Sequence, residues 1–385
     1  MQNGFWRPDS RPGFKRSCMA LGLPDEQLLF AFTPDEMISC RGVAGFRKAL
    51  FELLDGRLTV SEITARLCSK GYDCDRERVI AALEVLSGNN LLEDYTAGDG
   101  EEERGDPELA FGERYSRQLL FFAAWEANGR AAAARAQAAL AESRIVLFGL
   151  GGFGSHLFYE LASLGVGRIT VVDFDRVEAS NLNRQLLFGE ADIDREKIAV
   201  GRELAGRLNS QLEYDFITRR ITAWEEMAEL LEGASCAVLA ADSPRDKIPL
   251  WMNRAAFATG VPALFTLGAS LRFLRLGPLV VPGRTSCYAC CSAAASQFIW
   301  DDPLVRKINH RYRHGVIAPY VMITAGMMAL EIVKHLTGFA PCSLYDQWLE
   351  VDALEWRMRK VPFVSCPECA WCGSRAGAGS QPCRP

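Results

Sequence analysis

The stretch GLGGFG places Gly149, Gly151, Gly152 and Gly154 between the apolar run RIVLF and the longer run GSHLFYELASLG. Glycines at that spacing let backbone N–H groups and a helix N-terminus approach a phosphate, because no Cβ stands in the way. Alone, the pattern suits NAD, FAD and ATP equally. Asp173 closes the next apolar run, RITVVD, where a carboxylate can accept from ribose hydroxyls, and that feature is shared too. The residues that follow discriminate. Asn181, Arg184 and Gln185 stand in DFDRVEASNLNRQ, Lys197 follows in DREKIAV, and Asp242 comes just after CAVLAA. A hydride-transferring cofactor has no use for two cations and a free carboxylate near its phosphates. Splitting ATP between its α and β phosphates does: Arg184 and Lys197 offset the charge that grows on the α-phosphoryl oxygens. Asp242 can hold the Mg²⁺ that carries the departing pyrophosphate. The sequence predicts a Mg-ATP site.

A second constellation is built from sulfur. SCYACC and SCPECAWC supply Cys287-x-x-Cys290 and Cys366-x-x-Cys369, with Cys291 and Cys372 as alternates. Two such pairs make a tetrahedral thiolate site for Zn²⁺. With all four positions filled by protein, the zinc is expected to be structural, tying the C-terminal segment to the core.

The elements that must position these residues read as an α/β fold. Apolar runs alternating with amphipathic helices predict a Rossmann-like, mostly parallel sheet over residues 111–372. Residues 94–110 are acidic and glycine-bearing, which predicts a flexible linker that lets what precedes it swing. Residues 373–385 read as a flexible tail. In residues 1–93, QLLFAF, MISC and LLED are strand candidates around three helical stretches. Thr59 or Ser61 is expected to cap the second helix and Asp75 the third. That order predicts a winged-helix-like α+β module. Its third helix mixes Arg76 and Arg78 with Asp75, Glu77 and Glu84, a poor face for phosphates.

Composition excludes several classes. A formal charge of −5 with no sustained basic patch argues against nucleic acid as a partner. No apolar run is long enough to cross a bilayer, and MQNGFWRPDSRPGFKRS has no apolar signal core, so a cytoplasmic enzyme is expected. Thirteen cysteines without an export signal favour reduced thiols and metal over disulfides.

Residues 111–372 resemble the ThiF/MoeB/HesA adenylating family, relatives of the ubiquitin-activating enzymes, through GLGGFG, DFDRVEASNLNRQ and AADSPRD. The resemblance assigns Asp173 to the ribose, and Asn181, Arg184, Gln185 and Lys197 to the triphosphate. It also assigns Arg117, in ERYSRQ, to the phosphates of a neighbouring subunit, which implies a homodimer. Sulfur-transfer and ubiquitin-like activators usually carry a nucleophilic cysteine after the first cysteine pair. Residues 292–341 have none, so a thioester relay is not expected. The loop there carries Arg306, Lys307, Arg311 and Arg313 with His310 and His314, able to clamp an acidic peptide or pyrophosphate. The N-terminal LFELLDGRLTVSEITARL…VIAALEVLSGNNLLED resembles the PqqD-like elements that recruit leader peptides in enzymes modifying ribosomally made peptides. There the leader adds a strand beside the hairpin and packs on the third helix. The combination resembles the enzymes that build pantocin A and microcin C. It implies adenylation of a carboxylate in a precursor peptide, with activation of a glutamate side chain and ring closure favoured over activation at a terminal asparagine. The alternatives are activation of a ubiquitin-like or sulfur-carrier protein and a non-catalytic leader-binding partner of a cyclodehydratase.

Overall fold

A computed structural model describes residues 5–31, 37–96, 111–125, 129–245, 247–269, 271–295, 304, 307–308 and 315–373. The chain divides into two compact units, Met1–Ala138 and Ala139–Pro385.

The first unit begins with β1 (Pro12–Phe14), β2 (Met19–Leu23), β3 (Gln27–Ala31) and β4 (Met37–Cys40). Then come α1 (Gly45–Phe51), α2 (Val60–Ser69), α3 (Arg76–Gly88), β5 (Leu92–Asp94), α4 (Ser116–Ala123) and α5 (Gly129–Ala141). The hairpin and three helices expected from sequence are β3–β4 and α1–α3. Val60, Ile63 and Leu67 share one face of α2, and Val79, Leu83 and Leu86 one face of α3; these two stripes make the core of the unit. Thr59, rather than Ser61, caps α2: its hydroxyl accepts from the Glu62 N–H at 3.1 Å while the Glu62 carboxylate accepts from the Thr59 N–H at 2.8 Å. Asp75 caps α3 through the Arg78 N–H at 2.8 Å. Two strands were not foreseen. β2 extends the hairpin into a three-stranded sheet of order β2-β3-β4, and β1 pairs antiparallel with β5.

The division between units falls after residue 138, not at the acidic stretch. Chain on both sides of residues 97–110 is fastened within one unit. Lys15, only 2% exposed, donates to the Ala123 carbonyl at 3.2 Å and to Asn90 Oδ1. Asn90 Nδ2 donates to the Ala124 carbonyl at 2.6 Å. These bonds satisfy carbonyls at the end of α4 and place a cation at its negative pole. The helix that carries Arg117 is therefore held by the same unit that carries the three-stranded sheet.

The second unit is built on one eight-stranded sheet of order β13-β12-β11-β10-β9-β6-β7-β8. Its elements are β6 (Arg144–Phe148), α6 (Gly152–Leu164), β7 (Arg168–Asp173), α7 (Lys197–Leu208), β8 (Glu213–Thr218), α8 (Trp224–Leu231), β9 (Cys236–Leu239) and α9 (Ile248–Thr259). They continue with β10 (Ala263–Ala269), β11 (Phe273–Val280), α10 (Tyr288–Ala295), α11 (Ala318–Thr337), β12 (Gln347–Asp352) and β13 (Arg357–Pro362). β8, β7, β6, β9 and β10 run parallel, and β10 to β13 pair antiparallel. The central strands are apolar throughout because both faces are covered: Ile145, Val146, Leu147 and Phe148, which alternate between the two faces of β6, are all buried. The sequence proceeds from β6 to one side and from β9 to the other. The ends of β6 and β9 thus flank the switch point, where open α/β sheets leave a crevice. Among the described residues no helix is long and apolar enough to cross a membrane.

Candidate adenylation site

The switch point is where the glycine turn lies. Gly149 leaves β6 with φ +96°, and its N–H donates to the Val172 carbonyl at 2.8 Å. A Cβ there would stand 2.7 Å from the Ala241 backbone nitrogen, and one on Gly154 would drive into the Gly149 carbonyl oxygen. Both positions therefore exclude side chains so that α6 can start tight against the sheet. Gly151 and Gly152 are less crowded, although a Cβ on Gly152 would touch the Val321 side chain at 3.5 Å. A Cβ on Gly151 would meet nothing nearer than Gln185 Nε2 at 3.9 Å, and one on Gly152 would lie 4.0 Å from Arg184 Nε. The first turn of α6, whose N–H groups have no carbonyl four residues back within the helix, opens toward these two side chains.

Asp173 ties this turn to the one after β7. Its Oδ2 accepts from the Leu150 N–H at 2.5 Å and its Oδ1 from the Asp175 N–H at 2.8 Å. Each oxygen keeps a lone pair for a ribose hydroxyl. Next comes a compact turn organised by Asn181. Its carbonyl accepts from the N–H groups of Arg184 (3.0 Å) and Gln185 (2.9 Å), and its side chain accepts from the Glu178 N–H at 3.1 Å. Arg184 Nη1 is anchored on the Ser180 carbonyl at 2.7 Å and on Asn183 Oδ1 at 3.0 Å. Gln185 is buried, and its Oε1 has no partner among the described residues. No described residue satisfies this side-chain amide's acceptor, and its Nε2 faces the glycine turn, as a nucleotide subsite would leave it.

Lys197 is the first residue of α7. Its side chain is 5% exposed and its Nζ lies 3.1 Å from Asp175 Oδ2, while its N–H donates to the Asp175 carbonyl at 3.0 Å. Asp175 was missed in the sequence, although it stands two residues past Asp173 in the same DFD turn. Asp242 is exposed, in the loop beyond β9. That loop starts beside the glycine turn, since the Ala240 N–H donates to the Phe148 carbonyl at 2.8 Å. Asp173, Asn181, Arg184, Gln185, Lys197 and Asp242 thus all belong to segments bordering one crevice. One carboxylate is enough for Mg²⁺ that takes its other ligands from phosphates and water.

Sequence comparison accords with this geometry. The ThiF family profile matches residues 115–370. The chain belongs to the ThiF family. It is 30% identical over 264 residues to the sulfur carrier protein ThiS adenylyltransferase of Escherichia coli K12, covering 68% of this chain and 96% of that one. In fold it is similar to E. coli MccB solved with ATP, at a TM-score of 0.74 and 21% identity, covering 94% of this chain and 99% of that one. It is also similar in fold to PaaA, at a TM-score of 0.67 and 21% identity, covering 91% and 99%. As a ThiF-family chain with this site, the protein is an ATP-dependent adenylating enzyme.

The ThiF-family chain also carries the sulfur cluster, with one change of ligand. Cys287, Cys290, Cys369 and Cys372 bring their sulfurs within 4.8 Å of one another. The Cys287–Cys369 and Cys290–Cys372 separations are 3.5 and 3.6 Å. Thiolates about 2.3 Å from a tetrahedral zinc lie about 3.8 Å apart, so the set fits the metal. Cys366, expected as a ligand, contributes its backbone instead: its N–H donates to Cys290 Sγ at 3.3 Å. In CPECAWC the spacing allows either pair, and the turn of the chain selects Cys369 and Cys372. Hydrogen bonds from Cys287 and Cys290 lower the Cys372 thiol below its ordinary value, which favours the thiolate form a metal takes. Arg117 is the second residue of α4, in the first unit. Of the basic loop only Leu304, Lys307 and Ile308 are described; Arg306, His310, Arg311, Arg313 and His314 lie outside the described residues.

Proposed function

We propose that this enzyme adenylates a carboxylate of a ribosomally made precursor peptide, releasing pyrophosphate. The carboxylate oxygen attacks the α-phosphorus of ATP, the α–β bridging bond breaks, and the electron pair leaves with pyrophosphate. Gly149, Gly151, Gly152 and Gly154 admit the phosphates to the start of α6, Asp173 accepts from the ribose, and Asn181 and Gln185 border the triphosphate. Arg184 and Lys197 meet the charge growing on the α-phosphoryl oxygens. Mg²⁺ on Asp242 would supply charge for the leaving pyrophosphate. Zn²⁺ on the four cysteines would hold the C-terminal segment to the sheet. Arg117 of one subunit reaches the phosphates bound by the other in a homodimer.

The observation that carries the peptide reading lies in the first unit. β2 is exposed on both faces, with Met19, Leu21 and Leu23 at 58%, 40% and 43%. An apolar edge strand of this kind invites pairing and is normally blunted unless a partner strand uses it. The likeness to MccB extends over this unit, and MccB has been solved in complex with N-formylated MccA. A leader peptide pairing with an open edge of this sheet would hold its core segment near the adenylation site at high effective concentration. A glutamate side chain, activated for ring closure, is the favoured target.

Sulfur-carrier activation is the second reading, favoured by the identity to the ThiS adenylyltransferase. The cysteine nearest in sequence after the loop, Cys342, argues against a thioester relay. Burial pushes its thiol up to about 12, which suppresses the thiolate a nucleophile needs. The deciding experiment measures pyrophosphate release with the full precursor, with the core segment alone, and with a sulfur carrier ending in glycine. Release that requires the leader supports the proposal. Release with the carrier alone contradicts it.

A further inference from the structure

His156 stands on the glycine-turn helix, two residues after Gly154, and the nucleotide site as read from sequence does not use it. Its side chain is buried at 5% exposure, and its Nε2 lies 3.2 Å from the main-chain oxygen of Arg184. A carbonyl only accepts, so Nε2 carries the hydrogen and the ring is the Nε2–H tautomer. Burial lowers the imidazole below its ordinary value and so favours the neutral ring. Residues 156 and 184 are brought together by tertiary structure alone.

We propose that His156 is a positioning residue that fixes Arg184 relative to the phosphate-binding start of α6. The proposal rests on the reading that Arg184 contacts the phosphates. Two things must converge on one triphosphate: the N–H groups of the glycine turn and the Arg184 guanidinium. The first ride on α6 and the second on the turn of residues 178–185. Arg184 is held within its own turn by the Asn181 carbonyl on its N–H and by Ser180 and Asn183 on its Nη1. Those bonds shape the turn but do not tie it to α6. The imidazole does, and it leaves Arg184 Nε, 4.0 Å from where a Gly152 Cβ would stand, facing the helix start. An error of a few tenths of an ångström between the two anion-binding groups weakens a charge-assisted hydrogen bond that depends on distance and angle. His156 touches no substrate and acts only through Arg184.

The test is a double-mutant cycle on the full chain, reading the affinity of a non-hydrolysable ATP analogue with Mg²⁺ and, separately, of adenosine. Arg184→Ala should weaken the analogue by at least about tenfold, as loss of a hydrogen bond to a charged group would. His156→Leu should weaken it by about 3–10-fold and leave adenosine binding unchanged, which also shows that the variant is folded. His156→Gln, whose amide can donate to the same carbonyl, should recover most of the loss. The double variant His156→Leu/Arg184→Ala should be no weaker than Arg184→Ala alone, because one residue acts through the other. If Arg184→Ala leaves the analogue's affinity unchanged, the phosphate reading of Arg184 fails. If Arg184→Ala weakens binding but His156→Leu does not, or the two losses multiply, or adenosine is lost in parallel, the positioning role is overturned.

Discussion

Replacing Cys372 with serine should release zinc, whereas replacing Cys366 should not. The cluster sulfurs stand 3.5 and 3.6 Å apart in the two cross-pairs, close to the edge of about 3.8 Å that a zinc–thiolate tetrahedron requires. Structural zinc of this kind contributes about 10–16 kcal/mol of apparent binding free energy. One ligand's share is then about 3 kcal/mol, so Cys372→Ser should bind zinc roughly 10²-fold more weakly and melt at lower temperature. Cys366 acts through its N–H on Cys290 Sγ, and serine at that position keeps the N–H. Cys366→Ser should retain about one zinc per chain, at a packing cost of about 1 kcal/mol for a smaller buried side chain. The assay is zinc per chain by elemental analysis after dialysis against graded chelator, with a melting curve for each variant. Zinc kept by Cys372→Ser and lost by Cys366→Ser would refute the ligand assignment. A metal-free wild-type protein of unchanged stability would refute the site.

Three further outcomes follow from the geometry. Gly154→Ala should weaken ATP binding at least about tenfold and cost about 1–3 kcal/mol of stability, because its Cβ meets the Gly149 carbonyl; an unperturbed melting curve would contradict this. Glu160, on α6, has a buried Oε2 without a partner among the described residues, and burial pushes its carboxyl from 4.5 up to about 7. Its folded-state value is raised, so no penalty exists below pH 4.5 and stability is lost as pH rises toward 7. Glu160→Gln should therefore stabilise by about 1–3 kcal/mol at pH 8 and be neutral near pH 4, and a gain that is the same at both ends would be inconsistent with that cause. Thr59→Ala removes one half of the capping box on α2 and should cost about 1 kcal/mol in denaturant unfolding, against no change if the cap were idle.

Much of the site was legible because its residues lie in short, dense motifs. The turn GLGGFG, the carboxylate Asp173 and the Asn181–Gln185 segment each carry their proposed chemistry within a few positions, and each lies by the switch point where the sheet changes direction. What stayed hidden depends on contacts far apart in sequence. Asp175 opposes Lys197 across 22 residues, and His156 meets Arg184 across 28. Neither pairing leaves a local pattern. Cys366 and Cys372 are equivalent by spacing, since both sit three residues from Cys369, and only the path of the chain separates them. In the first unit the helices were readable from their apolar periodicity. β1, with the sequence PGF, reads as a turn because proline and glycine disfavour strands; its partner β5 lies about 80 residues away. The acidic stretch reads as a tether by composition alone, while Lys15 and Asn90 fasten the residues that follow it.

The most direct test of adenylation follows ATP labelled in its α-phosphate, mixed with the enzyme, Mg²⁺ and a candidate precursor peptide. The label should pass to an acyl-adenylate of the peptide and, where ring closure follows, be released as AMP, with one pyrophosphate for each, and Arg184→Ala should slow this by about 10²-fold. Orthophosphate in place of pyrophosphate, with the label left in ADP, would contradict the account.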